Sequence, residues 1–317
     1  MSPISWQPSS SINTLRQRAH CLQSIRSFFT RRGYLEVETP IMARFGITDV
    51  YLANIKAIFR GQAYCLQTSP EYHMKRLLAS GSGPIFQLAR VFRDDELGRW
   101  HNPEFTLLEW YQLNIDHHGL MHEMDVFLQD MLASGPLIKK TYRQIFMEVC
   151  EIDPFTASLQ ELRALVQHYG YKDVLATDEQ DRDQYLFLLI SHVVEPVLAK
   201  ESSPVAIYDF PPSQAALAQV HDGVAHRFEV YYRGVELANG FHELTDGFQQ
   251  ELRFQEDNAK RLLHHQEACP LDEYFLAALH HGLPPCSGVA LGVDRLLALR
   301  LNKDSIAQTV SFDFSRA

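Results

Sequence analysis

Residues 85–113 read IFQLARVFRDDELGRWHNPEFTLLEWYQL. Two extended segments, about 85–92 and 105–113, flank the charged loop Arg93-Asp94-Asp95-Glu96-Leu97-Gly98-Arg99-Trp100-His101-Asn102-Pro103. The pattern predicts an antiparallel hairpin with an unusually long tip, and long charged tips usually carry function. Arg93 ends one strand and the polar run His101 to Phe105 opens the next, so both converge at the hairpin mouth. A guanidinium placed there is a planar fork suited to a phosphate or a carboxylate.

Working outward, residues 12–32 have apolar side chains near helical spacing (Leu15, Leu22, Ile25, Phe28, Phe29) and Gly33 as a stop. A short extended piece, 34–37, leads to Glu38-Thr39-Pro40. Ser69-Pro70-Glu71 reads as a helix start, with Ser69 as N-cap, Pro70 at the first helical position and a stop at Gly81. From 117 to 200 the pattern is mainly helical and includes a capping box, Ser158 to Glu161. Strand patterns return at 205–210, 227–232, 235–240 and 288–293. The expected fold class is α+β, an antiparallel sheet of about six strands flanked by helices. With no Pro/Ser-rich linker, residues 1–317 are expected to form a single domain with a helical insertion at about 117–200.

The 29 basic and 39 acidic residues give a net charge of -10, which argues against a nucleic-acid binder, since such proteins usually carry a basic face. The acid excess favours a basic partner. No apolar stretch reaches the roughly 18 residues of a membrane span, and the N-terminus has no secretory signal. Five scattered cysteines without metal or redox spacing indicate reduced thiols in a cytoplasmic protein. Fifteen histidines show no metal-binding spacing, and His101 reads as part of the hairpin loop rather than as a base.

Two further runs carry chemistry. In Glu236-Leu237-Ala238-Asn239-Gly240-Phe241-His242-Glu243, two carboxylates flank a sharp turn; such a pair can hold Mg²⁺ on a nucleotide or meet a cationic substrate. In Gly288-Val289-Ala290-Leu291-Gly292-Val293-Asp294-Arg295, glycines let a backbone run close to a ligand before a helix begins.

Taken in order, these runs resemble the motifs of class II aminoacyl-tRNA synthetases. Gly33 to Met42 is similar to motif 1, which builds the dimer interface in that class. Phe92-Arg93 to Phe105 is similar to motif 2, and Gly288 to Arg295 to motif 3. Thr68-Ser69-Pro70-Glu71, His101 to Thr106, Glu109-Trp110-Tyr111 and Asn239 to Leu244 resemble the lysine-specific branch. Two departures narrow the likeness. Lysyl-tRNA synthetases carry an N-terminal anticodon-reading barrel, whereas here the motif 1 helix starts almost at the first residue, so no anticodon-binding domain is expected. Ala290 stands where those enzymes have glycine. A stand-alone core with this alanine resembles the elongation factor P lysine ligases, which activate (R)-β-lysine and transfer it to a lysine of elongation factor P.

The resemblance implies an ATP-dependent, AMP-forming ligase using Mg²⁺, a cytoplasmic homodimer without stable tRNA binding or a membrane. Arg93 is the implied catalytic residue, bridging the substrate carboxylate and the α-phosphate. Asp94, Asp95, Asn102, Phe105, Glu236, Leu237, Gly292 and Arg295 are implied in ATP binding, with Phe105 stacked on the base and Arg295 at the γ-phosphate. Glu236 and Glu243 are implied at Mg²⁺, or Glu243 at the substrate ammonium. Ser69, Pro70, Glu71, Glu109, Tyr111, Asn239, Glu243 and Ala290 are implied in amino-acid binding. Which acid faces which ammonium stays open. The alternative is a catalytic-core lysyl-tRNA synthetase charging tRNA with lysine. A non-catalytic paralogue should have lost Arg93, Glu236, Glu243 and Arg295, and all four are present.

Overall fold

The computed structural model of the protein describes residues 6–94 and 97–317. In chain order come α1 (Ile12–Thr30), β1 (Leu35–Glu36), β2 (Met42–Ala43), β3 (Lys56–Phe59), β4 (Gln62–Leu66), α2 (Glu71–Ala79), β5 (Ile85–Phe92) and β6 (Glu104–Leu113). Next are α3 (His117–Leu132), β7 (Ile138–Thr141), α4 (Tyr142–Cys150), α5 (Leu159–His168), α6 (Arg182–Leu189), a π-helical turn (Ile190–Val194) and α7 (Glu195–Leu198). β8 (Val205–Phe210), β9 (Val220–His221), β10 (Val224–Tyr232) and β11 (Val235–His242) follow, then α8 (Gly247–Leu263), α9 (Glu273–Gly282), β12 (Cys286–Gly292) and α10 (Val293–Arg300). Contacts divide the chain into two compact units, Met1–Asp116 with Glu243–Ala317, and His117–His242. No described helix is long and apolar enough to cross a membrane.

In the first unit the strand order is β1-β5-β6-β12. β5, β6 and β12 are antiparallel neighbours, and β1 runs parallel to β5. Side chains alternate between faces along a strand. One face therefore carries Phe86, Leu88, Leu108, Trp110, Val289 and Leu291, all apolar and buried except half-buried Leu88. Helix α1 covers it: the Phe29 ring stacks on Phe86 at 4.9 Å and meets Trp110 at 5.1 Å. Ser11 caps α1, accepting from Thr14 N, and Gly33 beyond its end has φ +80°, where a side chain would be strained. Asp294 at the start of α10 is buried; it pairs with Arg18 of α1 at 2.5 Å and accepts from Thr106 N at 2.7 Å. That network ties helix, hairpin and α10 together.

The second unit has the order β11-β10-β8-β7, with β9 beside β10. β7 is parallel to β8 and the other pairs are antiparallel. Arg233 and Gly234 join β10 to β11 with φ +51° and +73°, the two left-handed residues of a tight hairpin turn. Its core gathers Tyr142, Phe146, Leu186, Leu189, Ile207 and Phe210. The expected capping box at Ser158 and Glu161 is formed on both sides.

The α+β architecture agrees with the sequence pattern; several details differ from it. These sheets hold four strands in the first unit and five in the second, more than the six expected. β1 lies within the extended piece expected at 34–37, whereas β9 has two residues, too short for any alternation to register. A separate three-stranded sheet, β2-β4-β3, was not anticipated. β7 interrupts the stretch read as helical. α2 begins at Glu71 with Pro70 as its N-cap, one residue later than expected, because Ser69 Oγ accepts from Glu71 N at 3.1 Å from outside the helix.

Candidate active site

The second face of β5, β6 and β12 is different in kind. The strand register aligns Ile85, Tyr111 and Gly288 in one row, then Gln87, Glu109 and Ala290, then Ala89, Leu107 and Gly292, with Val91 beside Phe105 at the end. Tyr111 lies six positions beyond Phe105, a track of about 20 Å at the usual strand rise. Carboxylates lie at one end and an arginine with an aromatic ring at the other.

At the acidic end Glu109 is buried, and both its oxygens accept hydrogen bonds, Oε2 from Ser69 Oγ at 2.6 Å and Oε1 from the Tyr111 hydroxyl at 2.6 Å. Lys75 of α2, fully buried, holds Glu71 at 2.5 Å and Glu243 at 2.6 Å. Glu243 itself is anchored through its backbone N–H to Cys286 O. Burial, reinforced by the Glu71 charge, pushes the Glu109 carboxyl up to about 7. Burial pushes Glu243 up to about 8, although Lys75 pulls the other way. For Lys75 burial acts downward, but Glu243 and Glu71 outweigh it and hold the ammonium well above its usual range. Three carboxylates thus face one ammonium, a deficit of two positive charges when all are ionised. Buried unpaired charge is costly, so Glu109 and Glu243 hold protons more tightly than free carboxyls do.

Gly288 is where the wall permits no side chain. A methyl there would lie 2.2 Å from Tyr111 Cε1 and 2.6 Å from Glu243 Oε1. Ala290, directly across from Glu109, packs with Ala89, Val91, Leu107 and Phe105.

At the other end the Arg93 guanidinium lies over the Phe105 ring, 5.2 Å from its centroid. Arg93 Nε is buried and has no hydrogen-bond partner among the described residues, which fits a fork that awaits an anion. The backbone N–H of Asp94 donates to Ala53 O at 3.2 Å. Asn102 is engaged at both ends of its amide, donating to Glu104 O at 2.6 Å and accepting from Phe314 N at 3.2 Å. Arg295 braces the hairpin tip, donating to Trp100 O at 3.1 Å and standing 2.7 Å from His101 Nε2. A methyl on Gly292 would meet nothing closer than Arg295 Cδ at 3.5 Å, so the protein leaves that surface open.

The structure therefore brings together Ser69, Glu71, Glu109, Tyr111, Glu243 and Ala290 at one end of the track, and Arg93 and Phe105 at the other. Pro70 enters as the residue before α2. Glu236, Leu237 and Asn239 lie on β11 in the second unit, where Asn239 Oδ1 accepts from Arg227 Nε at 3.2 Å. Asp95 lies outside the described residues. The sequence reading missed Lys75, Gly288 as a contact of Tyr111, and Asp294. For Lys75 the available signal was its position four residues after Glu71, which reads equally well as a surface helix pair.

The family model for tRNA synthetases class II (D, K and N) matches residues 4–316. The chain belongs to that family of ATP-dependent ligases. Within it, the chain is similar to the elongation factor P--(R)-beta-lysine ligase of Vibrio cholerae, with 48% identity over 326 positions covering 100% of both chains. It is also similar to proteins of the same name from Edwardsiella ictaluri, at 49% identity over 99% of this chain and 98% of the relative, and Salmonella gallinarum, at 50% over 98% of each.

Proposed function

We propose that this protein activates (R)-β-lysine with ATP and transfers the β-lysyl group to a lysine side chain of elongation factor P. The carrying observation is the charge balance of the buried pocket. Glu71, Glu109 and Glu243 against Lys75 leave room for two positive charges, and β-lysine brings two ammonium groups. Its carboxylate then extends along the track toward Arg93.

The substrate carboxylate attacks the α-phosphate of ATP, the bond to the β-phosphate breaks, and pyrophosphate leaves. Arg93 neutralises the charge shared by the carboxylate and the α-phosphate, with its unpartnered Nε as one of the donors. Phe105 receives the adenine, Gly292 gives the nucleotide its close approach, and Arg295, held at the hairpin, meets the γ-phosphate end. Asp94 and Asp95 are the acidic residues that the family resemblance assigns to nucleotide binding. Asn102 acts by holding the loop, since both ends of its amide are engaged with backbone. Mg²⁺ when bound would offset charge on the departing pyrophosphate. Glu236 is the carboxylate offered to it, because Glu243, buried against Lys75, fits the amino-acid side better than an open metal position. In the second step a neutral acceptor amine attacks the mixed anhydride and AMP leaves, so transfer should quicken as pH rises near neutrality.

The acid excess supports a protein acceptor over stable tRNA binding. Exposed Leu35, Ile41 and Met42, in and beside the motif 1 segment, support a homodimer interface there. Five free cysteines fit a reducing cytoplasm. The decisive assay offers elongation factor P and tRNA(Lys) side by side with ATP and α- or β-lysine. The expected result is β-lysyl transfer to the protein. Faster charging of tRNA with α-lysine overturns the assignment.

A further inference from the structure

Fifteen histidines show no metal spacing along the chain, yet the second unit gathers three of them. His117 opens α3, His226 lies on β10 and His242 ends β11. One ring nitrogen or the other of each lies within 4.8 Å of those of its two neighbours. The antiparallel register pairs Arg227 with Phe241, so one step further along it His226 faces His242 across the ladder, where side chains on one face approach closely. The His226 ring lies nearly parallel to that of His242 at 5.8 Å and to that of His117 at 4.6 Å.

The hydrogen bonding says which nitrogen is available. His117 Nε2 lies 3.1 Å from Asp209 Oδ1, an arrangement in which the ring donates its Nε2 proton to the carboxylate and keeps its lone pair on Nδ1. His117 is only 3% exposed, and its Nδ1 is buried with no hydrogen-bond partner among the described residues; the same holds for His226 Nδ1. Two buried ring nitrogens without a hydrogen-bond partner among the described residues, beside a third imidazole, form a candidate set of metal donors. A carboxylate that orients a ligating histidine through its other nitrogen is the usual outer support of a metal-bound imidazole.

The geometry points to a binding site for a late first-row divalent cation, zinc in the first instance, held by His117, His226 and His242 and supported by Asp209. Three neutral imidazoles without a thiolate suit zinc and its neighbours, not Mg²⁺ or Ca²⁺. At a zinc–nitrogen length of about 2.1 Å, tetrahedral ligands sit about 3.4 Å apart. Closing the cluster to that spacing takes ring rotations of about 1 Å at each nitrogen. The rotation also unstacks the rings so that their in-plane lone pairs converge. Three histidines leave a fourth position for water. The ion would clamp the start of α3 to the β10–β11 hairpin. The inference does not depend on which amino acid the protein activates.

The test uses the full, tag-free chain, stripped with a chelator, desalted and titrated with Zn²⁺ alone. One zinc per chain is expected by elemental analysis after a second desalting. Co²⁺ in its place should give the intense visible absorption of a tetrahedral nitrogen site. Asp209→Asn should weaken zinc binding by about 10- to 100-fold, and His226→Gln should weaken it further. His168→Ala, at an exposed histidine elsewhere in the same unit, should bind as the wild type does. Melting curves with and without zinc guard against a misfolded variant. Zinc should raise the wild-type Tm but not that of His226→Gln, while the two metal-free proteins keep the same far-ultraviolet spectrum. No retained zinc in the wild type, or equal zinc in His226→Gln and wild type, overturns the inference.

Discussion

A single methyl at Gly288 probes the amino-acid pocket directly. In Gly288→Ala the new carbon would lie 2.2 and 2.4 Å from two ring carbons of Tyr111 and 2.6 Å from Glu243 Oε1. Carbon atoms in contact sit about 3.5–4.0 Å apart, so the Tyr111 ring must move by more than about 1 Å. That ring is buried and cannot turn freely. Overpacking of this kind costs about 1–3 kcal/mol. The displacement also breaks the 2.6 Å hydrogen bond from the Tyr111 hydroxyl to Glu109, worth about 1.5–3 kcal/mol for a charged acceptor. Some 3 kcal/mol expressed at the pocket corresponds to roughly a hundredfold rise in the KM for the amino acid. Amino-acid-dependent pyrophosphate exchange measures it, with the KM for ATP as internal control. Gly292→Ala, where the nearest atom is Arg295 Cδ at 3.5 Å, should instead raise the KM for ATP and leave the amino acid alone. Wild-type amino-acid KM and Tm in Gly288→Ala would refute the packing described for this wall.

Ala290 stands opposite Glu109, so Ala290→Gly should raise activity with α-lysine relative to β-lysine by about tenfold to a hundredfold, the usual worth of a methyl in a pocket; an unchanged kcat/KM ratio removes Ala290 from the choice of isomer. Arg93→Ala should lower pyrophosphate exchange on the order of a hundredfold or more, as loss of a transition-state donor does, and near-normal exchange would displace the hairpin from the site. Lys75→Met leaves Glu71 and Glu243 without their buried partner and should destabilise the fold by about 3–5 kcal/mol, read by denaturant unfolding. Glu109 and Glu243 bind protons more tightly folded, at about 7 and 8, than at their ordinary value of 4.5. The folded state therefore holds the extra protons, and the ligand-free protein should lose stability as pH rises from about 5 to 8, with Tm as readout. Glu109→Gln should flatten that slope, and affinity for a dicationic amino acid should rise over the same interval.

Much of the local structure was legible in the chain itself. Helix α1 with its Gly33 stop, the capping box at Ser158, and strands β5 and β6 with their long tip follow from interactions within a few residues. The candidate site residues came from motif order, and the alternation along β5, β6 and β12 explains why Glu109, Tyr111 and Phe105 share a face. The short strands β2, β7 and β9 were not legible, because two to four residues carry no periodicity and their pairing depends on distant partners.

Lys75 marks where sequence stops and tertiary structure begins. By itself the sequence determined the class, the hairpin, the acidic and arginine candidates, and the four-residue spacing of Glu71 and Lys75. Whether that pair sits in water or in the core was decided only by the fold, which brings Glu243 to 2.6 Å from the ammonium, buries Lys75 and Glu243, and leaves Glu71 half-buried. The same holds for His117, His226 and His242, which no spacing connects. Local sequence sets backbone preferences over a turn or a strand. The charge, burial and proton affinity of a side chain depend on groups that only the folded chain brings within a few ångströms.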